Sequence, residues 1–279
     1  MVYRSLFMSF YTKSFPHLEV SLKNTHQLWV TLNNPDQMNA ITDDMINSLT
    51  EVMRHADFDK NIRVVVLTGK GKNFCAGGDI KAMEEKSGMF AGESNELRAR
   101  YQQGIQRIPQ CMENLSVPVI AMVNGAAVGA GCDLSMMCDL RVGNHKTKFA
   151  ETFTRMGLVP GDGGTFFLQR IVGYSRAMQM FLTAKPIEGS EALSFGLLNF
   201  LFEESSMESE TIKLADSIVA NSPVAQRLTK KAMKVAYLHD LQTSLDLLAS
   251  YQGISQRTAD HFEAIKSFKE KRSPNFSGE

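Results

Sequence analysis

Apolar residues alternate with polar ones in LEVSLK (18–23) and in LWVTLN (28–33), and the polar turn NTHQ separates the two runs. A period of two predicts half-buried strands joined as a hairpin. The period then changes: Thr42 precedes Asp43 and Asp44, acids suited to a helix N-terminus, and Met45, Ile46, Leu49, Val52 and Met53 follow at helical spacing. RVVVLTG (63–69) is rich in β-branched residues and predicts a buried strand. The alternation recurs, with a helix predicted over Leu97 to Leu115, a strand in VPVIAMV (117–123), a helix from Gly131 and a strand in DLRVGN (139–144). Buried strands alternating with helices predict an α/β fold.

From Met207 onward the pattern is helical without an intervening strand, through LADSIVANS, PVAQRLTKKAMKVAYLHD, LQTSLDLLASYQ and HFEAIKSFKEKRSP. Ser222 and Pro223 supply a helix restart, Pro186 and Gly189 mark a break upstream, and Pro274 punctuates the tail. The chain therefore divides into a leader (1–17) expected to be disordered, an α/β core (18–206) and a helical C-terminal region (207–279).

At 279 residues, 43% apolar and 22% charged, the composition is that of an ordinary folded protein large enough to bury a sizeable core. Thirty basic residues balance thirty acidic ones, which leaves no excess charge to drive binding to nucleic acid or to a membrane surface. The uncharged stretch from Asn114 to Cys132 is long enough to span a bilayer, but Pro118, Asn124, Gly125, Gly129 and Gly131 interrupt it, so it reads as strand and turn. Cys75, Cys111, Cys132 and Cys138 show neither zinc-ligand spacing nor disulfide density, which fits a reducing compartment. The six histidines form no HExxH or Cys/His group, and no metal is expected. The leader carries Arg4 and Lys13 without an acid, as in a transit peptide, although Met8 could be the true start. A cytoplasmic location is expected, or the mitochondrial matrix if the leader is a transit peptide. The abundant methionines, Met136, Met137, Met178 and Met180 among them, read chiefly as core filling.

Glycines cluster in GKGKNFCAGGDI (69–80) and NGAAVGAGCDL (124–134), each after a buried strand. Neither cluster has the lysine and hydroxyl of a phosphate loop or the GxGxxG spacing of a dinucleotide site. A small residue's backbone N–H at a helix start can approach an oxygen closely, and two such turns together can make an oxyanion hole for an enolate. The nucleophile elbow GxSxG is absent, so acyl-enzyme chemistry is not favoured.

LNNPDQMNAIT (32–42), NFCAGGDIKAM (73–83), VIAMVNGAAVGAGCDLSMMCDLRVG (119–143) and MGLVPGDGGTFFLQRIVG (156–173) together resemble the enoyl-CoA hydratase/isomerase (crotonase) superfamily, in family order and spacing. The resemblance extends from Leu18 to SFKEKRSPNF (267–276). It implies a crotonase-like spiral of ββα units, a C-terminal helical trimerisation region, and trimers or dimers of trimers. It also implies an acyl-CoA thioester as substrate, with no cofactor beyond the coenzyme A that the substrate carries. On this resemblance the oxyanion donors fall on the N–H groups of Gly78 and Ala130, where alanine replaces the commoner glycine. Ala40, Ala76 and Lys81 fall at coenzyme A-binding positions, Lys81 near the phosphates. Phe268 and Lys271 match C-terminal residues that contact coenzyme A across a subunit boundary.

The acids depart from the family pattern. Hydratases of the superfamily hold one water between two glutamates; Asp133 occupies the first position and Phe153 the second. A phenyl ring transfers no proton, so two-carboxylate hydration does not carry over directly. Asp133 is the first expected base and Asp162, in the PGDGG turn, the second, with Glu151 a further candidate. Hydration of a 2-enoyl-CoA is the leading expectation. Double-bond isomerisation by a single base and noncatalytic acyl-CoA binding are the alternatives.

Overall fold

The computed structural model describes residues 10–279. In chain order the core elements are β1 (Leu18–Lys23), β2 (Gln27–Leu32), α1 (Asp43–Phe58), β3 (Val64–Gly69), α2 (Ile80–Glu84), α3 (Ser94–Gln103), α4 (Arg107–Asn114) and β4 (Val119–Val123). There follow β5 (Ala126–Val128), α5 (Ala130–Met136), β6 (Leu140–Asn144), β7 (Lys148–Ala150), α6 (Gly164–Val172), α7 (Tyr174–Thr183), β8 (Ile187–Glu188), α8 (Gly189–Phe195) and β9 (Phe200–Phe202). Four helices complete the described chain: α9 (Met207–Val219), α10 (Pro223–Leu238), α11 (Leu241–Ser255) and α12 (Ala259–Glu270).

The β1–β2 hairpin is antiparallel, with Val20 opposite Val30, and it borders a parallel array in the order β2, β3, β4, β6, β9. β5, β7 and β8 form a second, smaller sheet. β3 is buried on both faces, which explains its unbroken apolar run. Val65 and Leu67 face the main core with Leu49, Val52 and Met53 of α1, whereas Val64 and Val66 pack with Trp29, Ile120 and the α9 residues Met207 and Ala215. The Thr42 hydroxyl starts α1 by accepting the Met45 N–H at 3.2 Å, satisfying one of the donors that a helix start leaves open.

The expected helix over Leu97 to Leu115 is instead two. Gly104 leaves helical geometry at φ −103°, ψ −110°, separating a polar α3 without buried residues from α4, which buries Ile108, Cys111 and Met112. The start of the expected disordered leader lies outside the described residues. From Phe10 onward the chain packs on the core: Phe10, Tyr11 and Phe15 are buried, and the Phe10 ring stacks on His55 with centroids 3.7 Å apart. Met136, Met137 and Met180 are buried in the core.

α10 is tied to the α/β layer by side chains. Arg227 donates to the Asp57 carboxylate at 3.1 Å and to the Ile62 carbonyl at 3.0 Å, and Lys230 reaches Asp139 at 2.6 Å. Among the described residues no helix is long and apolar enough to cross a membrane.

Candidate active site

The site starts where two parallel strands end. The chain leaving β3 and the chain leaving β4 run together: the Phe74 and Cys75 N–H groups donate to the Ala126 carbonyl at 3.0 and 3.1 Å, and the Val128 N–H returns to the Cys75 carbonyl at 2.9 Å. Asn39 clamps the first loop from below, its buried side-chain amide donating to the carbonyls of Lys70, Asn73 and Phe74 at 2.9–3.2 Å. The Ile41 N–H donates to the Gly77 carbonyl at 2.8 Å. Asn39 belongs to a motif quoted above, but its three acceptors lie more than thirty residues away, so spacing alone carries no signal of this role.

Glycine is required where the loops meet. Gly77 has φ +87°, and a Cβ there would lie 2.6 Å from the Val128 carbonyl oxygen and 3.2 Å from the Ala130 nitrogen. The unusual backbone before α5 falls on Gly129, at φ +53°, ψ −124°, so Ala130 begins the helix in an ordinary conformation that tolerates its methyl. As the first residue of α5, Ala130 has no intrahelical acceptor for its N–H. Among the described residues neither the Gly78 nor the Ala130 N–H donates within the loop network.

Gly78 and Ala130 line one cavity of about 250 Å³, together with Ala76, Tyr101, Phe153 and Asp162. Its remaining wall is mostly apolar, including Met83, Phe90, Ile105 and Met156. A larger groove of about 590 Å³ adjoins it and shares Ile80, Met83, Phe90, Tyr101, Met156 and Leu158.

The three candidate acids converge, although only one forms the wall. Asp162 lines the cavity, while Asp133 and Glu151 are fully buried behind it. The Asp133 carboxylate lies against Gly164, where any side chain would collide with it, and both of its oxygens lack a hydrogen-bond partner, as do both of Glu151 and Oδ1 of Asp162. Burial raises all three. Asp162 is pushed up to about 6. Glu151 is pushed up to about 7, chiefly by burial. Asp133 is raised further by burial, then by the neighbouring charges of Glu151 and Asp162. Three carboxylates cannot all ionise in so dry a space, so Asp133, raised by burial and by the charges of Glu151 and Asp162, keeps its proton.

Of the coenzyme A-binding candidates, only Ala76 lines this cavity; Ala40 is buried behind the first loop. Lys81 is exposed on α2, with Nζ 3.7 Å from Glu85. Phe268 is 86% exposed and Lys271 follows α12, and neither lines the cavity of its own chain. Tyr101, Thr152 and Arg155 also line the cavity, and sequence patterning pointed to none of them. Tyr101 sits in a polar helix with no buried apolar stripe, three residues before the chain turns at Gly104.

A profile of the enoyl-CoA hydratase/isomerase family matches residues 24–279. The chain belongs to the enoyl-CoA hydratase/isomerase family. Among its relatives, a short-chain-enoyl-CoA hydratase of Clostridium acetobutylicum is 36% identical over 244 residues, covering 87% of this chain and 91% of that protein. A 1,2-epoxyphenylacetyl-CoA isomerase of Escherichia coli is 31% identical, covering 89% of this chain and 94% of that protein. The crystal structure of an enoyl-CoA hydratase from Bacillus anthracis superposes with a TM-score of 0.88 at 32% identity, covering 94% of this chain and all of that one. The fold is thus the crotonase fold of this family, and the chain is an enzyme of the hydratase/isomerase class.

Proposed function

We propose that the enzyme acts on a 2-enoyl-CoA thioester, with the thioester oxygen held by the Gly78 and Ala130 N–H groups and Asp162 as the acid/base. The observation that carries this reading is one apolar cavity bearing two small-residue N–H groups and a single wall carboxylate. In hydration, the water oxygen bonds to C3, the water's proton passes to the Asp162 carboxylate, and the carbonyl becomes an enolate facing the two donors. Asp162 then returns that proton to C2, completing the addition. The relatives named as hydratases support hydration as the leading reaction.

Asp133 takes a positioning role in this reading, its carboxyl set against the start of α6, from which the Asp162 turn hangs. This places Asp162 ahead of Asp133 as the base. Glu151, buried beside Asp133, helps keep that carboxyl protonated. Phe153 in the wall favours isomerisation as the second reading, since one base removes a proton from one carbon and returns it to another without a second acid.

Lys81, Ala76 and Ala40 are proposed to border the coenzyme A path, and Phe268 and Lys271 to complete a neighbouring subunit's site. Exposed Leu241, Leu245, Phe262 and Ile265 on the last two helices support a trimer or a dimer of trimers. Sedimentation is expected to give one of these assemblies, and a monomer at micromolar concentration contradicts the shared site. No cofactor beyond the substrate's coenzyme A takes part, and a cytoplasmic location fits the buried free cysteines. Incubation with 2-enoyl-CoA thioesters of increasing chain length tests the activity. Loss of the enoyl absorbance with formation of a 3-hydroxyacyl-CoA is expected, whereas saturable binding without turnover or C2 proton exchange identifies a noncatalytic acyl-CoA-binding protein.

A further inference from the structure

Hydration needs a water fixed on the acyl chain, and a lone carboxylate fixes only one of its hydrogens. Phe153 offers nothing polar where it lines the cavity. The side chains of the cavity wall able to hydrogen-bond are Tyr101, Thr152, Arg155 and Asp162. Thr152 lies on the oxyanion side, its hydroxyl 3.5 Å from where a Cβ on Gly129 would sit. Arg155 is exposed and cationic. Tyr101 is the one neutral donor beside Asp162.

Its placement is built in. The edge of the Tyr101 ring would stand 3.1 Å from a Cβ on Gly161, so the ring packs over the turn that carries Asp162. Gln106 locks the two together: its N–H donates to the Tyr101 carbonyl at 3.1 Å and its side-chain amide to the Gly161 carbonyl at 3.0 Å. Burial and the nearby charges of Asp162 and Asp133 push the phenol up to about 12, so it keeps its proton through the physiological range.

We propose that Tyr101 is a further catalytic residue for hydration, its phenol O–H donating to the oxygen of the attacking water while Asp162 accepts a proton from that water. The phenol proton does not leave; it holds one lone pair of the water oxygen so that the other points at C3. This rests on the acyl-CoA reading of the site and makes a prediction that reading does not. Enolisation needs no water, so Tyr101 serves hydration and not proton exchange at C2. The groups facing the phenol and Asp162 are Asp133 and Glu151 behind the wall and Arg155 on it, and none changes in the variant.

Tyr101→Phe preserves the ring that packs on Gly161 and removes only the hydroxyl. In the full-length enzyme, hydration kcat should fall by about 10- to 100-fold, with KM changed by less than about threefold. Exchange of the C2 protons of a saturated acyl-CoA with solvent deuterium should stay within about twofold of the unsubstituted enzyme. Equal loss of both activities overturns the proposal in favour of a packing role, and unchanged hydration overturns it outright. An unsubstituted enzyme that exchanges C2 protons but never hydrates removes the role of Tyr101 while leaving the acyl-CoA reading in place. An unsubstituted enzyme that does neither removes both.

Discussion

The two sides of the cavity are made in opposite ways. On the Gly78 and Ala130 side the proposed chemistry belongs to the backbone, and side chains matter by their absence: Gly77 and Gly129 take conformations with positive φ, and a cross-laced hydrogen-bond network fixes where the N–H groups lie. On the Asp162 side the chemistry belongs to side chains drawn from three segments, and the surroundings act by withholding partners from five carboxylate oxygens. The first side is rigid and electrically simple. The second is a cluster of buried acids whose charge state depends on burial. A backbone site tolerates sequence drift that keeps residues small, as Ala130 in place of glycine illustrates, whereas a side-chain site can be rebuilt from different positions.

The largest effect that separates the sides is expected from Gly78→Pro. It deletes one N–H without touching any acid, and turnover should fall by at least about 100-fold in a protein that still shows native circular dichroism and assembly. Near-normal turnover removes Gly78 from the hole.

A smaller effect, of opposite sign on stability, is expected on the acid side. Glu151 has its folded pKa raised from 4.5 to about 7, so the folded state holds a proton that the unfolded state releases. Stability is therefore fullest below the unfolded value and is lost as pH rises through about 7. Glu151→Gln removes that loss and should raise the melting temperature at pH near 8. Below pH of about 4, where both states are protonated, it should leave the melting temperature nearly unchanged. An equal or lower melting temperature at the higher pH contradicts the crowded-carboxylate account.

The same contrast governs what could be read before folding. The hairpin, α1, β3, β4 and the helical C-terminal region follow from local periodicity, and the two glycine clusters from local spacing after strands. Family motifs then assigned Gly78 and Ala130. The break at Gly104 escaped because a single glycine in a helical stretch does not reveal its backbone angles. Tyr101 escaped with it, since α3 buries no apolar stripe that would have oriented the helix. The acids were all named, but their order was not legible: whether a carboxylate reaches a cavity or lies behind its wall depends on tertiary packing. Asp133, at the position matched by the resemblance, lies behind Gly164, and Asp162, in the PGDGG turn, forms the wall.

In the proposed reading Asp162, facing the acyl carbons, moves the proton while Asp133 holds the turn. The most direct test is the pH dependence of C2 proton exchange with solvent deuterium in the unsubstituted enzyme, Asp162→Asn and Asp133→Asn. In the unsubstituted enzyme exchange should rise with pH through about 6, as the Asp162 carboxyl ionises, and then level off. Asp162→Asn should lose at least about 100-fold of the plateau rate and the rise itself, with acyl-CoA affinity within a few fold. Asp133→Asn should keep the rise at about the same pH, because burial alone raises Asp162 and Asp133 is already neutral there, with a smaller fall in rate. Full exchange in Asp162→Asn together with its loss in Asp133→Asn contradicts the account and returns the base to Asp133.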